Sequence, residues 1–414
     1  MTKSEEELVK CVELPGRGRG LVTTRHINGG ELILRESPAL LYVSHCFALT
    51  YCGTCLRKCS PPTNSCSECR AFTFCSSACS QRHSRHLCSA LAELNKTGIV
   101  DHGDTADQAR FLLSAYLLAL SLPSEFERLM LLEGVGVVDD AVRKLHAFVE
   151  EAVHGWPWRS SVGEEKKWDV SVGVTADLLA KDARNTFGYM APFEVGGERS
   201  VRGHGVYQTA SFINHDCLPN SCRFDYLDGP IDFNTDIYIR ALHSIPENTE
   251  VTISYFPINW PFKSRVERLS EEYGFVCKCK RCQLEEGWTD SDSEGEEDNE
   301  DEAISSETAR PDKTYENGIS TSGMEDEEEE EEDGEGEGEE RKGKGMTEVQ
   351  EDIGDDELEH ALFFLKYLCP IEGCGGTMAP LASPPAASEN STMECNMCGH
   401  KRRGDELERE VAGG

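Results

Sequence analysis

The cysteines of this 414-residue chain constrain its fold more than any other feature. Seven, four and four of the nineteen cysteines form three clusters, and the first consists of Cys52, Cys55, Cys66, Cys69, Cys75, Cys79 and Cys88 with one histidine. A C-x-x-C pair places two thiolates on one face of a tetrahedral Zn²⁺. Seven Cys and one His fill two four-ligand sites, so residues 52–88 predict a double-zinc finger. A module this short has little core of its own, and we expect the metal to supply most of its folding energy.

The histidine ligand of this finger is either His83 or His86. A single residue separates His86 from Cys88, and two residues so close in sequence rarely both reach one metal within a turn. We therefore favour His83 as the eighth ligand. The alternative reading of the whole cluster, a set of redox thiols, explains its paired spacing poorly.

Two further clusters lie in the second half of the chain. Cys277, Cys279 and Cys282 leave one tetrahedral position empty, and Cys217 is the natural fourth ligand. A Zn²⁺ at this site would join two distant chain segments. The last cluster consists of Cys369, Cys374, Cys395 and Cys398 and resembles a zinc ribbon. The cysteines left over, which we predict to be ordinary thiols, are Cys11, Cys46, Cys59 and Cys222.

The compartment follows from what the chain lacks. Its N-terminus is acidic without an apolar core segment, so no signal peptide is visible. No apolar run reaches membrane-spanning length. We therefore expect an intracellular protein of the nucleus, the cytoplasm or both, with no membrane partner. In such a compartment, clustered cysteines favour metal binding over disulfides.

The net charge of −35 comes largely from one low-complexity segment, residues 286–356, which contains an unbroken acidic run at 325–333. Such a segment cannot bury enough apolar surface to offset chain entropy, so it is predicted to be a disordered linker. It is either a solvated spacer or an attractor of Lys-rich substrates. The acidic balance argues against direct, sequence-specific binding of nucleic acid.

Periodicity divides the rest of the chain into short-strand and helical parts. Strands with Gly and Pro punctuation are predicted before residue 51 and over 205–256, and helices over 105–155 and from about Thr175 to Asn185. The predicted segments are two parts of a β core (8–51 and 181–258), the double-zinc finger (52–88), a helical insert (89–180), a zinc segment (259–285), the acidic linker (286–356) and a short helix with a zinc-ribbon-like module (357–414).

Three motifs in the second half of the chain are informative because they occur together and in a fixed order. They are Asn214-His215-x-Cys217-x-Pro219-Asn220, Ile253-Ser254-Tyr255 and Cys277-x-Cys279-x-x-Cys282. With the finger, they resemble SET-domain proteins of the SET-and-MYND class, and a plant-like member in particular, over about residues 10–283. The resemblance implies a mainly β SET core that is interrupted by the MYND finger and a helical insert. It also implies that the first and third Cys pairs of the finger share one zinc, and that the second pair shares the other with the His and the last Cys.

The resemblance implies a protein-lysine N-methyltransferase that uses S-adenosylmethionine, with histone tails or other Lys-containing proteins as substrates and a role in chromatin regulation. Methyl transfer is an in-line displacement that needs a neutral amine aligned with the methyl carbon, so positioning and electrostatics carry most of the rate. Tyr255 is the predicted catalytic residue, because its phenol can orient the amine and interact with the sulfonium. It either only orients or also takes a proton. Without the motifs on either side of it, Tyr255 would be interpreted as a core tyrosine at the end of a strand.

The residues predicted to bind the cofactor are Gly18, Arg19, Gly20, Asn185, Ser211, Asn214, His215, Tyr255 and Phe275. The two glycines give backbone freedom for a close approach. Asn214 offers a donor and an acceptor to the amino-acid end of the cofactor. Phe275 resembles the aromatic residue against which adenine packs. The ring of His215 either faces the cofactor or is a satisfied core histidine.

Some positions depart from the family pattern. Asn248 stands in the turn before the catalytic strand where the family often has Gly, and Asn tolerates left-handed backbone angles. Asp216 stands where the family commonly has Ser. The long C-terminal helical-repeat domain of many relatives is missing. A second hypothesis is a non-catalytic adaptor, whose MYND finger binds Pro-rich peptides while the SET core is inert.

Overall fold

The computed structural model describes residues 7–60, 64–96, 103–157, 170–194, 197, 200–231, 234–288, 355–381 and 392–403. The predicted linker, residues 286–356, lies outside the described residues except at its two ends. Its disorder therefore stays a prediction. Among the described helices, none is long and apolar enough to cross a membrane.

Short strands build several small sheets in the described part of the chain. The strands are β1 (Val9–Leu14), β2 (Gly18–Thr23), β3 (Leu32–Glu36), β4 (Leu40–Val43), β5 (Asn64–Ser65), β6 (Thr73–Phe74), β7 (Thr186–Met190), β8 (Val201–Val206), β9 (Asn214–His215), β10 (Ser221–Asp225), β11 (Ile237–Ala241), β12 (Thr252–Ile253), β13 (Met378–Pro380), β14 (Thr392–Cys395) and β15 (Lys401–Arg403). The sheet orders are β1-β2, β10-β11-β3, β4-β8-β7, β5-β6, β12-β9 and β13-β14-β15. All pairs are antiparallel except β9 with β12.

The helices lie between these strands. They are α1 (Ser77–Gln81), α2 (Arg85–Leu94), α3 (Gly103–Ser121), α4 (Pro123–Met130), α5 (Asp140–Val153), α6 (Val172–Asn185), α7 (Phe262–Glu271), α8 (Lys280–Glu286) and α9 (Asp355–Tyr367). α6 begins at Val172 rather than near Thr175, because the hydroxyl of Ser171 accepts the backbone N–H of Val174 and caps the helix there. This N-cap extends the helix beyond the apolar pattern that predicted it.

The hairpin of β1 and β2 depends on two glycines. Gly16 and Gly18 have φ of +72° and +69°, a backbone conformation that residues with a Cβ rarely adopt. The turn pairs Leu14 with Gly18 and places Arg17 where it donates to the backbone carbonyl of His215. The hairpin therefore brings the Gly-rich turn at its tip next to residues about two hundred positions later.

The finger shares the main core of the protein instead of standing apart. Leu56, Phe72 and Phe74 are 0%, 4% and 2% exposed and pack in the same core as Val43 and Tyr116. Burial of side chains of this size contributes about 1.5–3 kcal/mol each. The finger thus has little core of its own, as expected, and neighbouring elements cover its apolar face.

A buried ionic network joins α7, α8 and α9. The carboxylate of Glu285 accepts hydrogen bonds from Arg281 at 2.6 Å, pairs with Arg265 at 2.7 Å and lies 2.8 Å from Nε2 of His360. Arg265 is fully buried, and charged side chains at such depth need partners. The network fastens the helix that follows the acidic segment to the helix that precedes it.

The C-terminal module, formed by α9 and β13–β15, packs on β10 and β11 of the core. Glu394 on β14 pairs with Arg240 on β11 at 3.1 Å and accepts the phenol of Tyr226 at 3.1 Å. Pro380 lies against Gly30, where its carbonyl leaves no room for a side chain. The predicted fold class, a β core with an inserted zinc finger, a helical insert and a small α/zinc module, is thus confirmed. The sequence did not indicate that this module docks on the core.

Candidate active site and metal clusters

The predicted metal ligands come together in four groups. The groups are Cys52, Cys55, Cys75 and Cys79; Cys66, Cys69, His83 and Cys88; Cys217, Cys277, Cys279 and Cys282; and Cys369, Cys374, Cys395 and Cys398. Within each group, the ligating atoms lie within 4.8 Å of one another. Tetrahedral Zn²⁺ with Zn–S distances of about 2.3 Å would place sulfurs about 3.8 Å apart. The donor sets and their spacing therefore fit four structural zinc sites.

Individual distances in the finger fit this geometry. Sγ of Cys75 lies 3.5 Å from Sγ of both Cys55 and Cys79, and Nε2 of His83 lies 3.6 Å from Sγ of Cys69. His83 is the histidine that joins the group, whereas the ring of His86 lies 5.8 Å from the ring of Trp156. Burial lowers the pKa of His83, which keeps its imidazole neutral and able to act as a ligand.

The third group joins two motifs that are far apart in the chain. Sγ of Cys217 lies 3.5 Å from Sγ of Cys282 and 4.0 Å from Sγ of Cys277. The guanidinium of the buried Arg265 donates to Sγ of Cys282 at 3.7 Å. A positive charge beside the cluster favours the thiolate form of its cysteines.

Tyr255 lies directly beyond β12, which pairs in parallel with β9. This pairing sets Thr252 opposite Asn214 and Ile253 opposite His215. The phenol of Tyr255 donates a hydrogen bond to the backbone carbonyl of Ile213 at 3.0 Å. Two successive motifs are thereby held side by side, with the phenol against the Asn-His segment.

The environment of Tyr255 keeps its phenol protonated. Burial raises the pKa of Tyr255, and the neighbouring Tyr273, whose ring centroid is 4.8 Å away, raises it further. Tyr273 therefore lines the same site. Tyr207, by contrast, is fully buried and donates to the carbonyl of Thr235 at 2.6 Å. It packs structurally.

The ring of His215 connects the third cysteine group to the tyrosine. Its Nδ1 accepts the backbone N–H of Tyr255 at 3.1 Å, and its Nε2 lies 3.1 Å from Sγ of Cys217. Burial lowers the pKa of His215 to about 3, so the ring is neutral. Because Nδ1 accepts, Nε2 carries the proton and donates it to the sulfur. Of the two readings from sequence, the satisfied core histidine describes this ring, and only the backbone of His215 remains for a ligand.

A polar network surrounds Asn214. Its amide nitrogen donates to Oε1 of Glu250 at 2.9 Å and to the carbonyl of Arg19 at 3.2 Å. A Cβ on Gly20 would lie 2.4 Å from Cδ1 of Leu14 and 3.0 Å from that nitrogen, so a larger residue there would displace these side chains. Arg17 donates to the carbonyl of His215 at 2.8 Å and pairs with Glu250 at 3.3 Å.

Arg17 and Glu250 are site residues that the sequence reasoning missed. Arg17 stands in the same Gly-rich turn as Gly18 and Arg19, which is the signal that could have found it. Glu250 is the first residue of the segment that ends in Tyr255. A glutamate before a predicted strand is common in sequences, so nothing marked this one as a site residue. Both are visible only once the turn and the Asn-His segment are adjacent.

The other predicted cofactor residues hold the surrounding backbone. The amide nitrogen of Asn185 donates to the carbonyls of Glu133 at 2.7 Å and Lys181 at 2.9 Å. Ser211 donates to the carbonyl of Tyr207 at 2.6 Å. Arg19 donates to the carbonyl of Leu131 at 2.8 Å.

Phe275 is the most exposed aromatic residue of the predicted set. It is 38% exposed, and its ring centroid lies 6.5 Å from that of His215. At Gly18, a Cβ would meet nothing within 4 Å, so this position of the turn is open as well.

The two positions that depart from the family pattern have local explanations. Asn248 has a φ of +58°, which bears out the expected left-handed turn. Oδ1 of Asp216 accepts the backbone N–H of Leu218 at 2.9 Å, and burial raises the pKa of this carboxyl to about 6. Asp216 therefore shapes the loop that delivers Cys217.

Tyr255 also lines a cavity of about 690 Å³. Of the predicted site residues, Asn185, Ser211 and Tyr255 line it. The C-terminal module contributes a further wall through Gly375, Gly376, Thr377, Asn396 and Met397. Tyr255 therefore contacts the segment that carries Asn214 and lines a cleft to which the zinc-ribbon-like module contributes a wall.

Fold and site together define a class: a β core carrying an inserted double-metal finger, with an Asn-His segment and a tyrosine held by a four-cysteine cluster. A sequence model described as SET domain matches residues 18–256. The chain belongs to the SET domain family.

Named relatives place it with the SET-and-MYND class. Histone-lysine N-methyltransferase ASHR2 of Arabidopsis thaliana is 40% identical over 417 residues, which covers 95% of each chain. Histone-lysine N-methyltransferase SMYD1 of Homo sapiens is 25% identical over 68% of this chain and 57% of that protein. A crystal structure of the SET domain of LSMT bound to lysine and AdoHcy covers 67% of this chain and 54% of that chain, with 14% identity and a TM-score of 0.29.

Proposed function

We propose that this chain is a protein-lysine N-methyltransferase that transfers a methyl group from S-adenosylmethionine to the side-chain amine of a lysine in histones or other proteins. The observation that carries the proposal is the position of Tyr255. Its phenol meets the carbonyl of Ile213 at 3.0 Å, between the segment of Asn214 and the cleft. The relatives named as histone-lysine N-methyltransferases support the same activity.

The residues present fit the cofactor. Open space beside Gly18, the polar group of Arg17, Asn214 and Glu250, and the half-exposed ring of Phe275 offer a place for its amino-acid end and its adenine. When bound, S-adenosylmethionine supplies a methyl group activated by the adjoining sulfonium charge. The positive charge would also disfavour a protonated lysine amine nearby and so lower its pKa.

Tyr255 acts by orientation. Its phenol is protonated at neutral pH because burial raises its pKa, so it does not remove the proton that the lysine amine must lose before attack. Its oxygen, which donates to Ile213, can still accept a hydrogen bond from the incoming amine. The phenol and carbonyl oxygens together direct the amine and favour the positive charge of the reacting centre. His215 and the third cysteine group fix the backbone that carries this phenol.

Four structural Zn²⁺ ions are part of the proposal. Their four donor sets contain only thiolates and imidazole and supply four protein ligands each, as in closed structural zinc sites. None has an open position for a reacting water. The metals would thus hold the finger, the catalytic segment and the C-terminal module in place without entering the chemistry.

The proposed substrates, partners and location follow from the acidic segment and from the finger. Basic histone tails are suitable substrates, since the acidic segment at 286–356 would attract Lys-rich chains in a salt-dependent way. Such substrates imply work in the nucleus as a chromatin regulator, with the cytoplasm as the place for other protein substrates. The finger remains available for Pro-rich partner peptides.

The test uses the full-length, zinc-loaded chain. Calorimetry measures S-adenosylmethionine binding, and mass spectrometry measures methylation of mixed histones by the wild type and by Tyr255→Phe. We expect the variant to bind the cofactor normally and to lose about 10²–10³-fold in turnover. Tyr189→Phe is the matched control, because its buried phenol donates to the carbonyl of Thr235 at 2.8 Å and does not line the cleft. A wild type that neither binds the cofactor nor methylates histones would favour the adaptor, whereas equal turnover of both variants and the wild type would contradict the role of Tyr255.

A further inference from the structure

The cleft beside Tyr255 has a wall that the SET core does not provide. Asn396 and Met397, the two residues between Cys395 and Cys398, line it together with Gly376. These residues lie next to ligands of the fourth cysteine group, more than 110 positions after Tyr255 in the sequence. A module that the catalytic motifs do not include therefore forms part of the cleft surface.

The backbone of this knuckle is held firmly. Oδ1 of Asn396 accepts the backbone N–H of Thr377 at 2.8 Å, and its amide nitrogen donates to the carbonyl of Arg223 on β10 at 2.9 Å. The backbone N–H of Met397 points to Sγ of Cys395 at 3.4 Å. Asn396 thus ties the knuckle both to its own module and to the core strand that borders the cleft.

Met397 approaches Gly376 so closely that a Cβ on the glycine would lie 2.8 Å from Cβ and Cγ of the methionine. The glycine therefore leaves room for the methionine. Met397 is half-buried and borders the cleft with an unbranched, adaptable apolar side chain. Its placement depends on the knuckle, which the cysteine group and Asn396 keep in position.

Apolar side chains form much of the surrounding cleft wall. Apolar side chains from the core that line the same cleft are Met190, Pro192, Val201, Ile253, Pro257 and Trp260. Four arginines also line the cleft, and each has an acidic partner. Arg223 lies 3.1 Å from Asp225, Arg202 lies 2.8 Å from Asp228, Arg268 lies 3.0 Å from Glu272, and Arg184 lies 3.9 Å from Glu133. A site of this kind discriminates by shape and apolar contact rather than by net charge.

We propose that the Cys395–Cys398 knuckle is one wall of the cleft for the protein substrate, and that Met397 selects an apolar residue next to the target lysine. This inference rests on the proposed methyltransferase function. The occupant of the wall is the substrate segment that flanks the lysine, because Tyr255 and Met397 border one continuous cavity. The C-terminal module then sets specificity, while Tyr255 orients the lysine amine and Asn214 helps to hold the cofactor.

The experiment uses the full-length chain and a library of Lys-centred peptides in which each flanking position is randomised. Methylated products are sequenced by mass spectrometry for the wild type, Met397→Ala, Met397→Glu and Ile371→Ala. Ile371 is the matched control, since it is a partly buried apolar residue in the opposite knuckle of the same module and does not line the cleft. Calorimetry with S-adenosylmethionine and zinc content are measured for every variant.

We expect the wild type to favour an apolar residue at one flanking position. Met397→Ala should reduce that preference about tenfold, the scale of a lost contact in an apolar pocket. Met397→Glu should shift the preference at this position toward Lys or Arg, which a merely structural role would not do. Ile371→Ala should leave the preference unchanged, and all variants should bind the cofactor and zinc as the wild type does.

Two results would overturn the inference, and they are distinguishable. If the wild type binds cofactor and methylates peptides but both Met397 variants keep its flanking preference, the knuckle does not select substrate. If the wild type binds no S-adenosylmethionine and methylates nothing, the proposed function fails and the inference falls with it.

Discussion

The imidazole of His215 bridges Sγ of Cys217 and the backbone N–H of Tyr255, with both hydrogen-bonding distances at 3.1 Å. One neutral ring thus connects a predicted metal ligand to the predicted catalytic residue. Hydrogen bonds to metal ligands from the surrounding shell usually fix the orientation of the ligands. Here the same contact also fixes the strand end that carries the phenol.

We predict that His215→Ala lowers turnover about 10–100-fold, the usual effect of losing a partner of a metal ligand. The phenol of Tyr255 would remain, but its backbone would lose the acceptor that positions it. Turnover, cofactor affinity and zinc content are measured on the same sample. His204→Ala is the matched control. His204 is a partly buried histidine whose ring stacks on that of Tyr42, with the ring centroids 5.0 Å apart, and it does not line the cleft. Equal losses of turnover in both variants would contradict a positioning role.

Asp182 gives a prediction for the pH dependence of stability. Its carboxylate accepts hydrogen bonds from Tyr42 at 2.9 Å and Thr186 at 2.7 Å, and burial raises its pKa to about 7. An unfolded Asp has a pKa of about 3.9. Between these values the folded state holds the proton and the unfolded state does not. This group therefore makes stability fall as pH rises from about 4 to about 7, by up to about 4 kcal/mol, with no further change above.

Asp182→Asn removes this titration while it retains an oxygen for Tyr42 and Thr186. We expect the melting temperature of the variant, relative to the wild type, to rise between pH 5 and pH 8. The comparison at each pH cancels the effects of pH on the metal sites, which both proteins share. A difference in melting temperature that stays constant over this range would contradict the assigned pKa.

The attachment of the C-terminal module can be tested through Glu394. Glu394 and Arg240 have side chains only 12% and 13% exposed, and Arg240 also lies 4.3 Å from the centroid of the Phe224 ring. Glu394→Gln leaves Arg240 without its charge partner, and such a loss in a buried pair costs about 3 kcal/mol. Chemical denaturation measures the change. The control is Glu372→Gln, which removes an exposed charge from the same module.

For this prediction, hydrogen exchange provides a second readout. Faster exchange in β10, β11 and β14 of Glu394→Gln would show that the module has loosened from the core. Stability and exchange equal to those of Glu372→Gln would mean that the pair does not hold the module in place.

The sequence predicted those parts of the site whose constraints are local. Paired Cys spacings identified the finger ligands, and the C-x-C-x-x-C motif needed a fourth ligand that Cys217 could supply. The turn at Asn248 followed from the backbone preference of its residue type. The start of α6 was less accurate, because the cap at Ser171 lies outside the apolar periodicity that marked the helix.

Contacts between distant segments could not be read in the same way. Arg17 reaches His215 only after the hairpin has folded, and nothing in either segment marks the partner. The docking of Glu394 on Arg240 and Tyr226 joins positions more than 150 residues apart without a repeating pattern. Apolar residues of the finger also gave no sign that the main core would cover them. Such relationships depend on tertiary packing, which a single sequence does not encode locally.

Glu285 and His360 stand at the two ends of the acidic segment and lie 2.8 Å apart. Both attachment points are thus set by folded helices, whatever number of residues runs between them. Since the entropy of closing a loop grows only logarithmically, doubling the number of residues adds about 0.6 kcal/mol. If the segment is disordered as predicted from its composition, a change in its length would therefore alter stability little, and the helices at its ends would keep the Cys395–Cys398 knuckle in place.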